Sequence, residues 1–166
     1  MIIIISGTNR KDNVTKKVAL EYKRFLVNYE MESEVLSLDE VNMSVRNESF
    51  VAIETSLLKP TLKFIIISPE YNGSYPGILK LMIDNSDVSK VWWHKKVLLA
   101  GVSSGRAGNL RGMEHLTGCL LHMKMLVHPN RLPISVVNTL LDGDDHFSDQ
   151  KTIVAINNQL KEFIYF

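Results

Sequence analysis

The chain has 166 residues, of which 45% are hydrophobic and 22% charged, with a formal net charge of +1. That length favours one domain over residues 1–166 with a substantial core, and the even charge balance gives no argument for nucleic acid or an anionic membrane as partner. The single cysteine, Cys119, excludes an internal disulfide and fits a reducing cytoplasm.

The apolar start, Met1 to Ile5, is too short to span a membrane and lacks the basic lead-in and small-residue cleavage site of a signal peptide. It reads as a buried first strand, Ile2 to Ile5. The loop Ser6 to Thr15 then enters an amphipathic helix marked by Val14, Val18, Tyr22, Phe25, Leu26 and Tyr29. A helix N-terminus offers free N–H groups and partial positive charge to a phosphate. Thr8, Asn13 and Thr15 add polar groups, and Arg10 can meet a phosphate in a forked geometry. Helix capping by Asp12 or Asn13 is the plainer reading of the same residues. The Gly-Lys-Ser/Thr ending of a P-loop is missing, which argues against nucleoside triphosphate hydrolysis.

A weaker strand, Glu34 to Leu38, and a faint helix around Phe50 to Leu58 follow. The third strand, Phe64 to Ile67, runs into Ser68-Pro69-Glu70-Tyr71-Asn72-Gly73-Ser74-Tyr75-Pro76-Gly77 and then a helix from Ile78 to Asp84. This loop joins a stiff backbone to exposed amides and small residues, which suits a flat aromatic ligand; turn chemistry alone recruits similar residues. Trp92-Trp93 reads as packing or an oligomer contact. The fourth strand, Val97 to Val102, leads into a loop with glycines at 101, 105, 108 and 112, two serines and two arginines. No Gly-x-Gly-x-x-Gly fingerprint occurs there, so a dinucleotide site of that type is not indicated. A helical stripe of Leu110, Met113, Leu116, Leu120 and Met123 places Cys119 in what reads as inert core. His115 and His122 lie one heptad apart on a helix face, and the five histidines show no metal-ligand spacing. A fifth strand, Met125 to Val127, precedes an exposed loop from Asn138 to Asp149 and a last helix marked by Ile153, Ile156, Leu160, Phe163 and Ile164.

Strands one, three and four are continuously apolar, the mark of parallel strands covered on both faces. Alternation of five strands with helices predicts a flavodoxin-like, doubly wound α/β fold, and ligands of such sheets lie outside the carboxyl ends of the strands.

The three loops together resemble the NADPH-dependent FMN reductases, including azoreductase-like and chromate-reductase-like members. Gly7 to Thr15 is similar to the family's Gly-Ser-x-Arg-x-x-Ser-x-Asn loop. Pro69 to Asp84 matches its Pro-Glu-Tyr-Asn-Gly-Ser-x-Pro motif and the Leu-Lys-Asn-x-x-Asp that follows. Ser103 to Asn109 is similar to its Ser-x-Gly-x-x-Gly-Gly loop. The departures are Asn13 and Thr15 for the usual Ser and Asn, Leu81 for Asn, and Asn109 for the second glycine. The resemblance implies FMN held at its phosphate by Thr8, Arg10, Asn13 and Thr15. It places the isoalloxazine against Pro69, Glu70, Tyr71 and Asn72, with Gly73 turning the chain beside them and Ser103 and Gly105 at the pyrimidine side. It also implies NADPH or NADH as electron donor, a small-molecule acceptor such as a flavin, quinone or azo compound, and pairing as a homodimer or homotetramer. No side chain is assigned an acid–base role, because the flavin carries the chemistry. A flavodoxin-like electron carrier and a flavin-binding module with little turnover are the alternatives, although the Thr-Gly-Asn-Thr loop of flavodoxins is missing.

Overall fold

The computed structural model describes all 166 residues. Strands β1 (Ile2–Ser6), β2 (Ser33–Ser37), β3 (Lys63–Pro69), β4 (Lys96–Val102), β5 (Leu126–Val127) and β6 (Leu132–Ile134) form one sheet in the order β2-β1-β3-β4-β5, with β6 also pairing with β4. Every pairing is parallel. Helices α1 (Val14–Val27) and α6 (Gln150–Tyr165) cover one face. On the other lie α2 (Glu48–Ile53), α3 (Gly77–Asn85), the short α4 (Val88–Val91) and α5 (Leu110–His122).

Strand alternation sorts the apolar runs into two cores. Ile3, Ile5, Phe64, Ile66, Val97 and Leu99 point toward Phe50, Leu79, Met82, Trp92, Met113 and Leu116. Ile2, Ile4, Ile65, Ile67, Leu98 and Ala100 point toward Val18, Tyr22, Phe25, Leu26, Ile156 and Leu160. Full burial of each such large side chain contributes about 1.5–3 kcal/mol, so these three central strands are held by burial on both sides.

The fifth strand differs from expectation. It breaks at His128–Arg131, where Pro129 interrupts the run, and resumes as β6. The break would leave the carbonyl of Leu99 without a strand partner. Buried Gln159 on α6 fills the gap, its Nε2 donating to Leu99 O at 3.0 Å and Asn130 O at 2.8 Å, while its Oε1 accepts from Tyr22 Oη at 2.7 Å. The segment expected as an exposed loop, Asn138 to Asp149, is partly tied down. A 3₁₀ turn spans Val137–Thr139, Leu141 bridges Phe147, and Phe147 is buried. Trp92 lies in the core against Phe64, whereas Trp93 is 40% exposed beneath the Lys124 ammonium. No helix is long and apolar enough to cross a membrane.

The faint second helix is two pieces, α2 and a π-helical turn over Glu54–Leu58. Glu54 in that turn is fully buried. Its carboxylate accepts from Arg46 at 2.9 and 2.8 Å and from the Asp87 N–H at 2.6 Å, with Lys59 Nζ at 3.1 Å. The Arg46 guanidinium, together with these other donors, holds the Glu54 carboxyl down at about 2 against an ordinary 4.5. Because the folded value is the lower one, the stabilisation is fully present above the unfolded value and is lost as pH falls through the folded one. Unfolding midpoints in urea should therefore drop between about pH 5 and pH 2. In Glu54→Gln that part of the slope should be missing and the stability at neutral pH lower; an unchanged slope would remove Glu54 from the account.

Candidate functional site

In-register pairing of β1 with β3 and of β3 with β4 brings the loops after all three strands to one edge: Ser6 lies beside Ile67, and Pro69 beside Val102. A cleft of about 320 Å³ opens there, lined by Arg10 to Thr15, Pro69 to Tyr71, Val102 to Ser104, Val137 and Asn138.

The first loop supplies a cluster of backbone donors. Asn13 is the N-cap of α1: its Oδ1 accepts from Lys16 N at 2.7 Å, and its Nδ2 donates to Arg10 O at 2.6 Å. Capping stops there. The backbone N–H groups of Lys11, Asp12, Asn13, Val14 and Thr15 donate no hydrogen bond within the chain. Asp12 adopts φ 50°, in the left-handed region that turns successive N–H groups into a concave nest. Thr15 is buried on the first turn of α1 and faces the cleft. The lysines turn away: Lys11 donates to Asp39 O, and Lys16 to Glu40.

The second loop forms the wall. Tyr71 spans both loops, its Oη 2.5 Å from Thr8 Oγ1 and its ring under the Arg10 guanidinium at 3.9 Å. Thr8 is fully buried, and its oxygen also accepts from Arg10 N at 3.3 Å. Thr8 and Asn13 thus use their polar atoms to build the loop, while Arg10 and Thr15 line the cleft. Asn72 (φ 52°) and Gly73 (φ 74°) make a two-residue hairpin turn closed by Tyr71 N–H to Ser74 O at 2.8 Å and Ser74 N–H to Tyr71 O at 3.1 Å. That turn stands at the rim rather than in the cleft wall.

In the third loop Ser103 Oγ donates to Gly105 O and accepts from Gly108 N–H, both at 2.9 Å. Ser103 lines the cleft; Gly105 does not, and its carbonyl accepts from Val136 N–H at 2.9 Å. The strand-six segment therefore helps to set the site. Val137 and Asn138 also line the cleft, residues that the motifs do not single out because only the return of the chain after β6 brings them there. Cys119 is half-buried rather than core, with its Sγ 3.2 Å from Tyr75 Oη in a separate cavity of about 430 Å³ between α3 and α5 that His115 and His122 also line. No group of three or more His, Cys, Asp or Glu side chains is placed to hold a metal ion.

The family model of the NADPH-dependent FMN reductases matches residues 1–138. The chain belongs to this family. It is 29% identical over 147 residues to an NADPH azoreductase of Bacillus sp. (strain OY1-2), covering 86% of this chain and 76% of that protein. It is 31% identical over 102 residues to an NAD(P)H-dependent FMN reductase of Pseudomonas aeruginosa, covering 58% of this chain and 54% of that one. The fold is similar to that of FerB, a flavoenzyme NAD(P)H:(acceptor) oxidoreductase from Paracoccus denitrificans, with a TM-score of 0.81 at 21% identity over 99% of this chain and 94% of that one. It is similar too to a Fusobacterium nucleatum flavodoxin bound to flavin mononucleotide, with a TM-score of 0.60 at 14% identity over 99% and 96% of the two chains. Membership makes the protein an oxidoreductase that works with FMN and a nicotinamide electron donor.

Gly73 offers a direct test of the second loop. Its φ of 74° disfavours any side chain, and a Cβ there would stand 3.2 Å from Arg111 Nη1. Holding a non-glycine residue in the left-handed region costs roughly 1–2 kcal/mol. In Gly73→Val the hairpin should open, FMN affinity should fall, and flavin reduction by NADPH should slow at saturating FMN. The melt of the flavin-free protein should move less, since the turn is outside the core. Unchanged affinity and reduction rate would mean that this loop does not hold the flavin.

Proposed function

We propose that this cleft binds one FMN per chain, within a single domain spanning residues 1–166, and that the protein reduces small-molecule acceptors such as flavins, quinones or azo compounds at the expense of NADPH or NADH. The observation that carries the reading is the run of five unpaired N–H groups from Lys11 to Thr15, at a helix N-terminus, in the same cleft as the Pro69–Tyr71 wall. Such a terminus stabilises an anion by both hydrogen bonding and the helix dipole, so the donor set fits a phosphate monoester.

When bound, FMN supplies the hydride-accepting ring and the onward transfer of electrons. The chain's own residues bind and orient. Arg10 adds positive charge at the phosphate end while its plane stays against Tyr71. Thr15 offers a hydroxyl beside the free N–H groups, and Thr8 and Asn13 fix the loop from behind. Pro69, Glu70 and Tyr71 present a flat wall whose backbone is tied to β4 through Glu70 N–H to Val102 O at 2.9 Å. Asn72 and Gly73 close its rim, and Ser103 with Gly105 shapes the opposite wall. The family relationship supports the azo-compound and flavin acceptors, since relatives carry those activities in their names.

We propose further that the chain works as a homodimer or homotetramer in the cytoplasm. Leu81 on α3 and Leu121 on α5, 44% and 56% exposed, support association, and the lone thiol supports a reducing compartment. Light scattering reads the association directly; a monomer at working concentration would overturn it.

The test of the activity begins with FMN titration of the purified protein, followed by NADPH without oxygen and then an azo dye or quinone. Tight binding, bleaching of the flavin band and its return on adding the acceptor are expected. No flavin binding, or release of FAD on denaturation, would refute the reading. Slow bleaching would favour an electron carrier. Arg10→Ala should weaken FMN roughly ten- to a hundredfold, the value of a charged hydrogen bond, and affect riboflavin, which lacks the phosphate, much less. Equal losses for the two would show that Arg10 does not meet the phosphate.

A further inference from the structure

Asn109, between β4 and α5, is conformationally costly and chemically specific. It is fully buried, with φ 61° and ψ 30°. A left-handed backbone suits glycine far better than a residue with a Cβ. Asn109 also holds the N-cap position of α5, a place where asparagine normally accepts a helix N–H, yet its side chain makes no cap bond. The amide reaches instead across to β3. Its Nδ2 donates to Ser68 O at 2.9 Å, to Pro69 O at 3.0 Å and to Ser68 Oγ at 3.2 Å. Its Oδ1 is buried without a hydrogen-bond partner. The fit around it is so close that a Cβ on Gly112 would stand 2.0 Å from that oxygen.

Three local costs therefore accompany one result: the joint between β3 and the cleft wall is fixed. Pro69 O is held by Asn109, and the N–H of the same peptide, on Glu70, is held by Val102 O at 2.9 Å. With both polar ends committed, the Pro69–Glu70 peptide cannot rotate without losing hydrogen bonds in a buried setting, where an unmade bond is expensive. Pro69, Glu70 and Tyr71 line the cleft, whereas Asn109 does not touch it.

We propose that Asn109 is a positioning residue for the flavin ring: its amide locks the Pro69–Glu70 peptide and so sets the wall against which the ring lies, without contributing to phosphate binding. This rests on the cleft being the FMN site. It distinguishes two ends of the site, the Lys11–Thr15 nest for the phosphate and the Asn109-locked wall for the ring.

Two variants separate the amide from the backbone. Asn109→Gly removes the donor and relieves the left-handed strain; Asn109→Ala removes the donor and keeps the strain. Both should lose FMN and riboflavin affinity by the same factor, about five- to tenfold for the loss of this hydrogen-bonded lock. Both should alter the visible circular dichroism of bound FMN and lower kcat at saturating FMN more than they change KM for NADPH. Their flavin-free melting temperatures should differ from each other, the glycine variant being the more stable. Flavin effects that track the melting temperatures instead of the shared amide loss would overturn the proposal, as would loss of FMN without loss of riboflavin, or wild-type affinity, dichroism and kcat in both variants. Failure of the wild-type protein to bind either flavin would overturn the reading of the cleft itself, a separate outcome.

Discussion

The parallel, in-register pairing of β1, β3 and β4 is the constraint on which the rest of this protein depends. Three strands paired in one direction must end at one edge, and burial on both faces leaves them no alternative register: a slip of one residue would exchange the side chains of the two cores. The loops that leave that edge are far apart in sequence, after Ser6, Pro69 and Val102, yet they form a single cleft. The site is a consequence of the sheet, and its residues need only be placed at the ends of strands.

What the loops then do is divide their polar atoms between construction and availability. Thr8, Asn13, Ser103 and Asn109 are committed inside the chain, to Tyr71, to the start of α1, to the third loop's own backbone and to β3 respectively. The N–H groups of Lys11 to Thr15 remain free. Side-chain donors of the type that a motif displays thus serve mainly to hold the backbone in place, and the backbone N–H groups of the first loop are left available at the cleft. On the proposed reading, a phosphate held by these backbone N–H groups would tolerate substitution of the side chains, so Asn13 and Thr15 could stand where the family pattern has other small polar residues.

The stacking of Arg10 on Tyr71 links the two ends of the cleft. The guanidinium is held over the ring while the Tyr71 hydroxyl is tethered to buried Thr8, so the first loop and the Pro69–Tyr71 wall share one rigid joint. A preorganised site of this kind loses little conformational freedom when it is filled. It would also leave the chemistry to the cofactor.

The sequence by itself determined the strands, because unbroken runs such as Ile2 to Ile5 and Phe64 to Ile67 can be satisfied only by burial on both faces, and it determined the three loops and the family through the Pro69 to Asp84 motif. It also singled out Arg10, Asn13, Thr15, Pro69, Glu70, Tyr71 and Ser103, which the fold brings to one cleft. Tertiary structure decided the rest. The break at Pro129 is tolerated because Gln159, 60 residues from Leu99, supplies the missing donor. Val137 and Asn138 reach the cleft only through the return of the chain after β6. Cys119 falls outside the core because the α3–α5 packing leaves a cavity beside it. Whether Asn13 caps a helix or Asn109 ties two loops depends on which partner comes within about 3 Å, the reach of a hydrogen bond, and one-dimensional order carries no record of that distance.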